Sequence, residues 1–482
     1  MRRTLAFAAA AALVAGCAPA VAPAPVAAPF PTTPPVPGPA PQVDLPDPVR
    51  MRLANGMTVM YVRQAELPVV AANLVIRGAG SSEEPASIPG LASFTANMLD
   101  EGAAGMDALQ LANALDLLGA SLNTFAGIDA AQASLYVLER NFQPALRILA
   151  DVVVRPDFPA NEIERLRTER LNSLIRARDE APAIANTAFA TLLYGASHPY
   201  GRSATQASTR ALSREAVAAH HASAYRPENA TLILVGDVNP AAMQPLVEQA
   251  FSAWRATGTA PALAALQEPR IDRTAVYLID RPGAAQSEIR IGHPGVARDN
   301  PDFYALTVMN TLLGGSFTSR LNTNLRETHG WSYGAGSGFA MLRGAGAFTA
   351  RAGVQTMATD SSLVEFFREL NRLRDEPVTA EDLQKTKNYV ALRLPDQLET
   401  TWAVANQLGA LEMYGLDASF YDTYVERIMA VTPEDVMRVA RQYVRPESSV
   451  VVVVGDREKI EAAVRGADVG PVELRTIDDF MQ

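Results

Sequence analysis

The sequence predicts an α+β protein of two homologous domains, each a mostly antiparallel sheet flanked by helices. RPENATLILVGD begins at Arg226 and RPESSVVVVVGD at Arg445, an offset of 219 residues with six of twelve positions identical. MRLANGMTVMYVRQ sets Asn55-Gly56 between two strand-like runs, which favours hairpin pairing over a doubly wound sheet. FQPALRILADVV and SLVEFFRELNRL carry apolar residues three and four apart, the period of a half-buried helix.

The chain opens on a separate kind of segment, MRRTLAFAAAAALVAGC. Arg2 and Arg3 form a positive n-region, and residues 5–14 an apolar stretch too short to span a bilayer. Leu13-Val14-Ala15-Gly16-Cys17 resembles a bacterial lipobox, in which cleavage leaves a lipid-modified cysteine, and Cys17 is the one cysteine of 482 residues. Ala18 after it suggests sorting to the outer membrane, facing the periplasm. Residues 18–47 are Pro/Ala-rich; extended at ~3.1 Å per residue they form a stiff tether about 90 Å long.

The duplicated body follows as domains at about 48–260 and 270–482, joined by GTAPALAALQEP. In the first, PVVAANLVIRGAG reads as a strand and PGLASFTANMLDEG as a helix opening after Pro89-Gly90. Each repeat of the Val-Gly-Asp strand is preceded by a helix with an N-cap candidate, Ser213 or Thr432. A net charge of −10 with no basic stripe argues against a nucleic-acid surface. Five histidines are present, and His220 and His221 diverge by about 100° on a predicted helix, so they read as partly exposed rather than metal-binding. His198, before Pro199, reads as structural.

LANGMTVMYV, PGLASFTANMLDEG, HPYGR, DRPGAAQSEIRIG and LLGGSFTSRLNTNLRETHGWSYGAGSGF together resemble the pitrilysin or insulinase-type (M16) peptidases, which include the mitochondrial processing peptidase. The likeness covers nearly everything after the tether. It implies two homologous α+β domains, with four such domains closing around unfolded peptide. Active members carry His-x-x-Glu-His on the helix at PGLASFTANMLDEG, two imidazoles one turn apart for zinc and a Glu as general base. Here the matching positions are Ser93, Ala96 and Asn97. The third ligand would fall near Ser173 or Leu174, neither of which binds zinc, and Glu169 lies about a turn away. The resemblance therefore implies a chain that binds no cofactor of its own.

In the second domain Arg326, Gly330 and Tyr333 read as a helix end, its stop and the next strand. On spacing alone the pair reads as an arginine capping a helix C-terminus beside a core tyrosine. The resemblance makes Arg326 and Tyr333 the family's arginine–tyrosine pair, which grips the peptide carbonyl region as negative charge develops. Gly314 and Gly315 permit a tight turn or close approach of a peptide backbone, and Gln286 is placed to donate to an extended peptide at a sheet edge. The expected protein is a non-catalytic, substrate-binding subunit of a zinc metallopeptidase in the bacterial envelope. Its partner would be a zinc-bearing His-x-x-Glu-His chain. The alternative is an inert scaffold or peptide-binding lipoprotein of the same fold; a stand-alone zinc peptidase is the least favoured.

Overall fold

Each half of the chain builds one six-stranded sheet, and each sheet is covered on one face by a helix from the other half. The computed structural model describes Gly38 and residues 47–482 apart from 257, 260 and 261. The leader, Cys17 and nearly all of the tether lie outside the described residues.

The first sheet comprises β1 (Val49–Arg52), β2 (Thr58–Arg63), β3 (Val69–Arg77), β4 (Ser121–Ala126), β5 (Ala130–Leu138) and β6 (Ala230–Gly236), ordered β1-β2-β6-β3-β5-β4. The second comprises β7 (Ala275–Asp280), β8 (Gln286–Pro294), β9 (Ser332–Phe339), β10 (Ala347–Gln355), β11 (Val450–Gly455) and β12 (Val472–Arg475), ordered β9-β10-β8-β11-β7-β12. Only β2·β6, β7·β11 and β7·β12 run parallel. The fold is α+β, as the hairpin and the duplication predict. β1 and β2 form the expected hairpin, closed by Leu53 to Met57 with Gly56 at φ +92°, a backbone glycine adopts without strain. Ser213 and Thr432 both cap their helices, each side chain accepting a backbone N–H.

Five helices frame the sites and the crossing between the halves: α1 (Leu91–Asn97), α2 (Ala160–Ala177), α3 (Ala181–Tyr194), α4 (Thr359–Asp375) and α5 (Thr401–Tyr414). The α3 helix belongs to the first half by sequence, yet its Ile184, Ala185, Ala188 and Phe189 pack on Val450, Val452 and Val454 of β11. The α5 helix reciprocates, laying Val404, Ala405, Leu408 and Leu411 on Val75 of β3 and on Ile233 and Val235 of β6. Glycines admit both contacts. Phe189 sits where a Cβ on Gly292 would be 2.7 Å away, and Asn73 where one on Gly409 would be 2.6 Å away. Asn73 is fully buried and bonds Asn406 and the carbonyl of Ala405, so the crossing is polar-registered as well as apolar. Central strands covered on both faces explain why β6, apart from Thr231, and β11 are apolar runs.

One histidine differs from expectation. His220 is buried rather than partly exposed, because its helix turns that face onto the first-half core beside α1. His221 is half-buried, its Nε2 2.8 Å from the carbonyl of Val153 and its ring stacked on Tyr225. His293 is buried with Nδ1 2.9 Å from the Pro294 carbonyl and Nε2 accepting the N–H of Arg445 at 3.0 Å, the arrangement of a neutral ring. Burial pushes His220 and His293 down to about 4. Unfolded, both protonate near pH 6.5, so the unfolded chain binds more protons below that pH and stability falls as pH drops toward 4. The loss amounts to roughly 3 kcal/mol per ring across that window. Urea melts should show a lower midpoint near pH 5 than near pH 7, with His293→Gln flattening the dependence; equal midpoints would refute the assignment.

Candidate functional site

The α1 helix holds the degenerate metal positions. Glu84 caps it from outside, its carboxylate accepting the N–H groups of Gly90 and Ala92 at 2.8 Å each. Burial raises the Glu84 pKa against those two bonds. Ser93 is half-buried and donates to the carbonyl of Gly90 at 3.1 Å; Ala96 is buried and Asn97 exposed. The surprise is Arg170 of α2. Its guanidinium donates to Ser93 Oγ at 3.2 Å and to the Gly90 carbonyl at 2.7 Å, and it lies 5.1 Å from the centre of the Phe94 ring. Burial lowers its pKa, with Glu84 opposing. A fixed cation thus stands against Ser93.

Zinc does not fit this residue set. Ser93, Ala96 and Asn97 offer no imidazole or carboxylate, and Arg170 adds positive charge beside them. Ser173 is exposed, and Leu174 is apolar. Glu169 is engaged by Arg165 at 2.9 Å, a guanidinium shared with Glu101 and Glu162. Among the described residues no group of three His, Cys, Asp or Glu is arranged to hold a metal ion.

Arg326 and Tyr333 come together on the second half. A short helix, Arg320–Asn322, runs into a π-helical turn, Thr323–Thr328, that presents Arg326. Gly330, at φ +65°, ends it. Tyr333 follows on edge strand β9, where pairing with β10 slips between Ser332 and Ala335. Buried Ser332 holds this bulge, its Oγ accepting from Gly334 N–H at 3.0 Å and bonding the Gly353 carbonyl at 2.8 Å. The bulge turns Tyr333 outward, and it is 90% exposed. Buried Asn322 ties both flanks, donating to the Phe317 carbonyl at 2.6 Å and accepting from Ala335 N–H at 3.1 Å. Arg326 lies between two rings, 4.4 Å from that of Phe317 and 5.5 Å from that of Tyr333. Its Nε lies 3.5 Å from Glu327 Oε1, and its other N–H groups remain for an acceptor. Neither Phe317 nor Arg170 is among the residues the sequence singles out. Arg170 carries a legible signal, since it interrupts the apolar stripe Ile163, Leu166, Leu174 of α2.

Two other expected site residues have different surroundings. Gln286 begins β8, which lies inside the sheet between β10 and β11, so it is not at an edge; the edge strands are β9 and β12. Gly314 does admit a close backbone, but that of its own chain, since a Cβ there would be 2.2 Å from Ser337 N of β9. Gly315 meets Asn310 instead, at 3.1 Å. Gly314→Ala should therefore lower stability by about 1–3 kcal/mol in chemical denaturation, with Gly315→Ala costing less; an unchanged midpoint for Gly314→Ala would contradict the packing.

Comparison with known proteins places this geometry. Residues 58–196 match the family model for Insulinase (Peptidase family M16), and residues 211–390 that for the Peptidase M16 inactive domain. The chain belongs to peptidase family M16. This M16 chain is 26% identical over 368 residues to an uncharacterized zinc protease of Mycobacterium leprae, spanning 76% of this chain and 82% of that protein. The crystal structure of a peptidase M16 inactive domain from Pseudomonas fluorescens superposes with a TM-score of 0.80 at 28% identity, covering 85% of this chain and 98% of that one. A protease from Helicobacter pylori shares the M16 fold at TM-score 0.78 and 20% identity, over 85% of this chain and 100% of its own.

Proposed function

We propose that this chain is a non-catalytic, substrate-binding subunit of a heteromeric zinc metallopeptidase that handles unfolded peptides in the bacterial cell envelope. The observation that carries the reading is the division of its two sites. At one, Arg170 bonds Ser93 where the family places a zinc ligand. At the other, half-buried Arg326 lies against exposed Tyr333, two donors that can serve a peptide carbonyl. Zinc belongs to a His-x-x-Glu-His partner, and Cys17, once lipidated, holds the subunit at the outer membrane.

The test is to purify the chain alone and with a His-x-x-Glu-His partner recovered from envelope extract. Peptide cleavage should appear only in the mixture; cleavage by the chain alone would refute the proposal. A scaffold of the same fold is the second reading, favoured by Leu109 and Leu117, which are 70% and 87% exposed on one helix. It predicts stable association that is indifferent to changes at Arg326 and Tyr333.

A further inference from the structure

Behind the Arg326 site lies an open groove of about 1070 Å³, walled by the 320–328 segment, α4 and the Ala380–Leu392 helix. Three buried polar atoms on its lining residues lack a partner. Glu369 is only 5% exposed; its Oε1 accepts from Asn324 at 3.0 Å and lies 3.7 Å from Nη1 of Arg372, while Oε2 has no partner. Asn324 commits its amide N–H groups to Glu365 and Glu369, leaving a buried Oδ1 unpaired. Arg320 has a buried Nη1 without an acceptor. It feels the charge of Glu369 through space but makes no ion pair with it.

Each such atom is costly while it stays unmatched. Here the unmatched atoms are of two kinds, two acceptors that include a carboxylate oxygen and a donor on a guanidinium. Their complement is one small molecule with opposite ends. An ammonium supplies three N–H groups to Glu369 and Asn324, and a carboxylate accepts from Arg320. A metal ion is a poor match, since no three-ligand group exists among the described residues.

We propose that this groove binds a zwitterion of the α-amino acid or short-peptide class, ammonium on Glu369 and Asn324 and carboxylate on Arg320. The site is separate from the arginine–tyrosine pair and stands whether or not the subunit assignment holds. Arg320 opens the same helical segment that presents Arg326, so a bound zwitterion braces that turn.

Calorimetric titration of the purified full chain with L-alanine, dialanine and trialanine tests it. At least one should bind saturably with a Kd of about 1 mM or tighter, and the preferred length separates a free amino acid from a peptide. N-acetylalanine and alaninamide, each lacking one charge, should bind at least ~10-fold more weakly than alanine if alanine is the ligand, and likewise the blocked peptides. Glu369→Gln and Arg320→Met should each weaken binding by about tenfold or more. Thr323→Tyr, at an exposed position on the groove wall, should block it without touching a buried group. The proposal is overturned if no zwitterion binds, if blocked forms bind as well as free ones, or if Thr323→Tyr leaves binding intact.

Discussion

In a complex with a zinc-bearing partner, Arg326→Ala should lower peptide turnover about 10²–10³-fold while leaving the zinc content of the complex unchanged. The size follows from removing a donor aimed where negative charge develops, in a place sheltered from water once peptide is bound. Tyr333→Phe removes a single hydroxyl and keeps the ring against Arg326, so it isolates the donor from the stacking. It should fall in the same direction by a smaller factor. Both losses should appear in kcat as well as kcat/KM, because the interaction strengthens in the transition state. Unaltered turnover in both variants would move the chain to the scaffold reading.

Rebuilding the metal site gives the second large effect. Ser93→His with Asn97→His restores two imidazoles one turn apart, and Leu174→Glu adds a carboxylate. With Arg170 in place, zinc affinity should stay weak. A +2 and a +1 charge about 5 Å apart repel by roughly 7 kcal/mol at an effective dielectric of ~20. Arg170→Ala added to the triple change should raise zinc affinity by several orders of magnitude, measured by competition with a chelating dye. Tight zinc binding with Arg170 retained would show that the guanidinium is not what bars a cation.

Much of the second site was legible in the chain. Gly330 stops the helix because the turn needs its positive φ, and the strand begins at Ser332, one residue before Tyr333. The hairpin at Asn55-Gly56 and the caps at Ser213 and Thr432 are likewise local chemistry, readable from a few neighbouring residues. What stayed hidden depends on which element meets which. Apolar periodicity in α3 and α5 fixes a buried face but not that each covers the other half's sheet. Gln286 reads as strand, yet strand order alone decides that β8 is interior and β9 an edge. His220 looks like a polar helix residue, and only the packing of that helix under α1 buries it.

The degenerate site shows the same division. The loss of ligands at 93, 96 and 97 is plain in the sequence. That Arg170 reaches across from α2 to Ser93 and Gly90 is a matter of helix packing, set by the Phe94 ring beneath it and Glu84 near it. Together they tie α1 to α2 at the Ser93 position.

Metal analysis of the chain purified alone, run beside a cleavage assay on an unfolded peptide, bears most directly on a subunit that contributes donors and no metal. Zinc far below one equivalent and no cleavage until a His-x-x-Glu-His partner is added is the predicted result. One firmly held zinc per chain, or cleavage by the solitary protein, would contradict it.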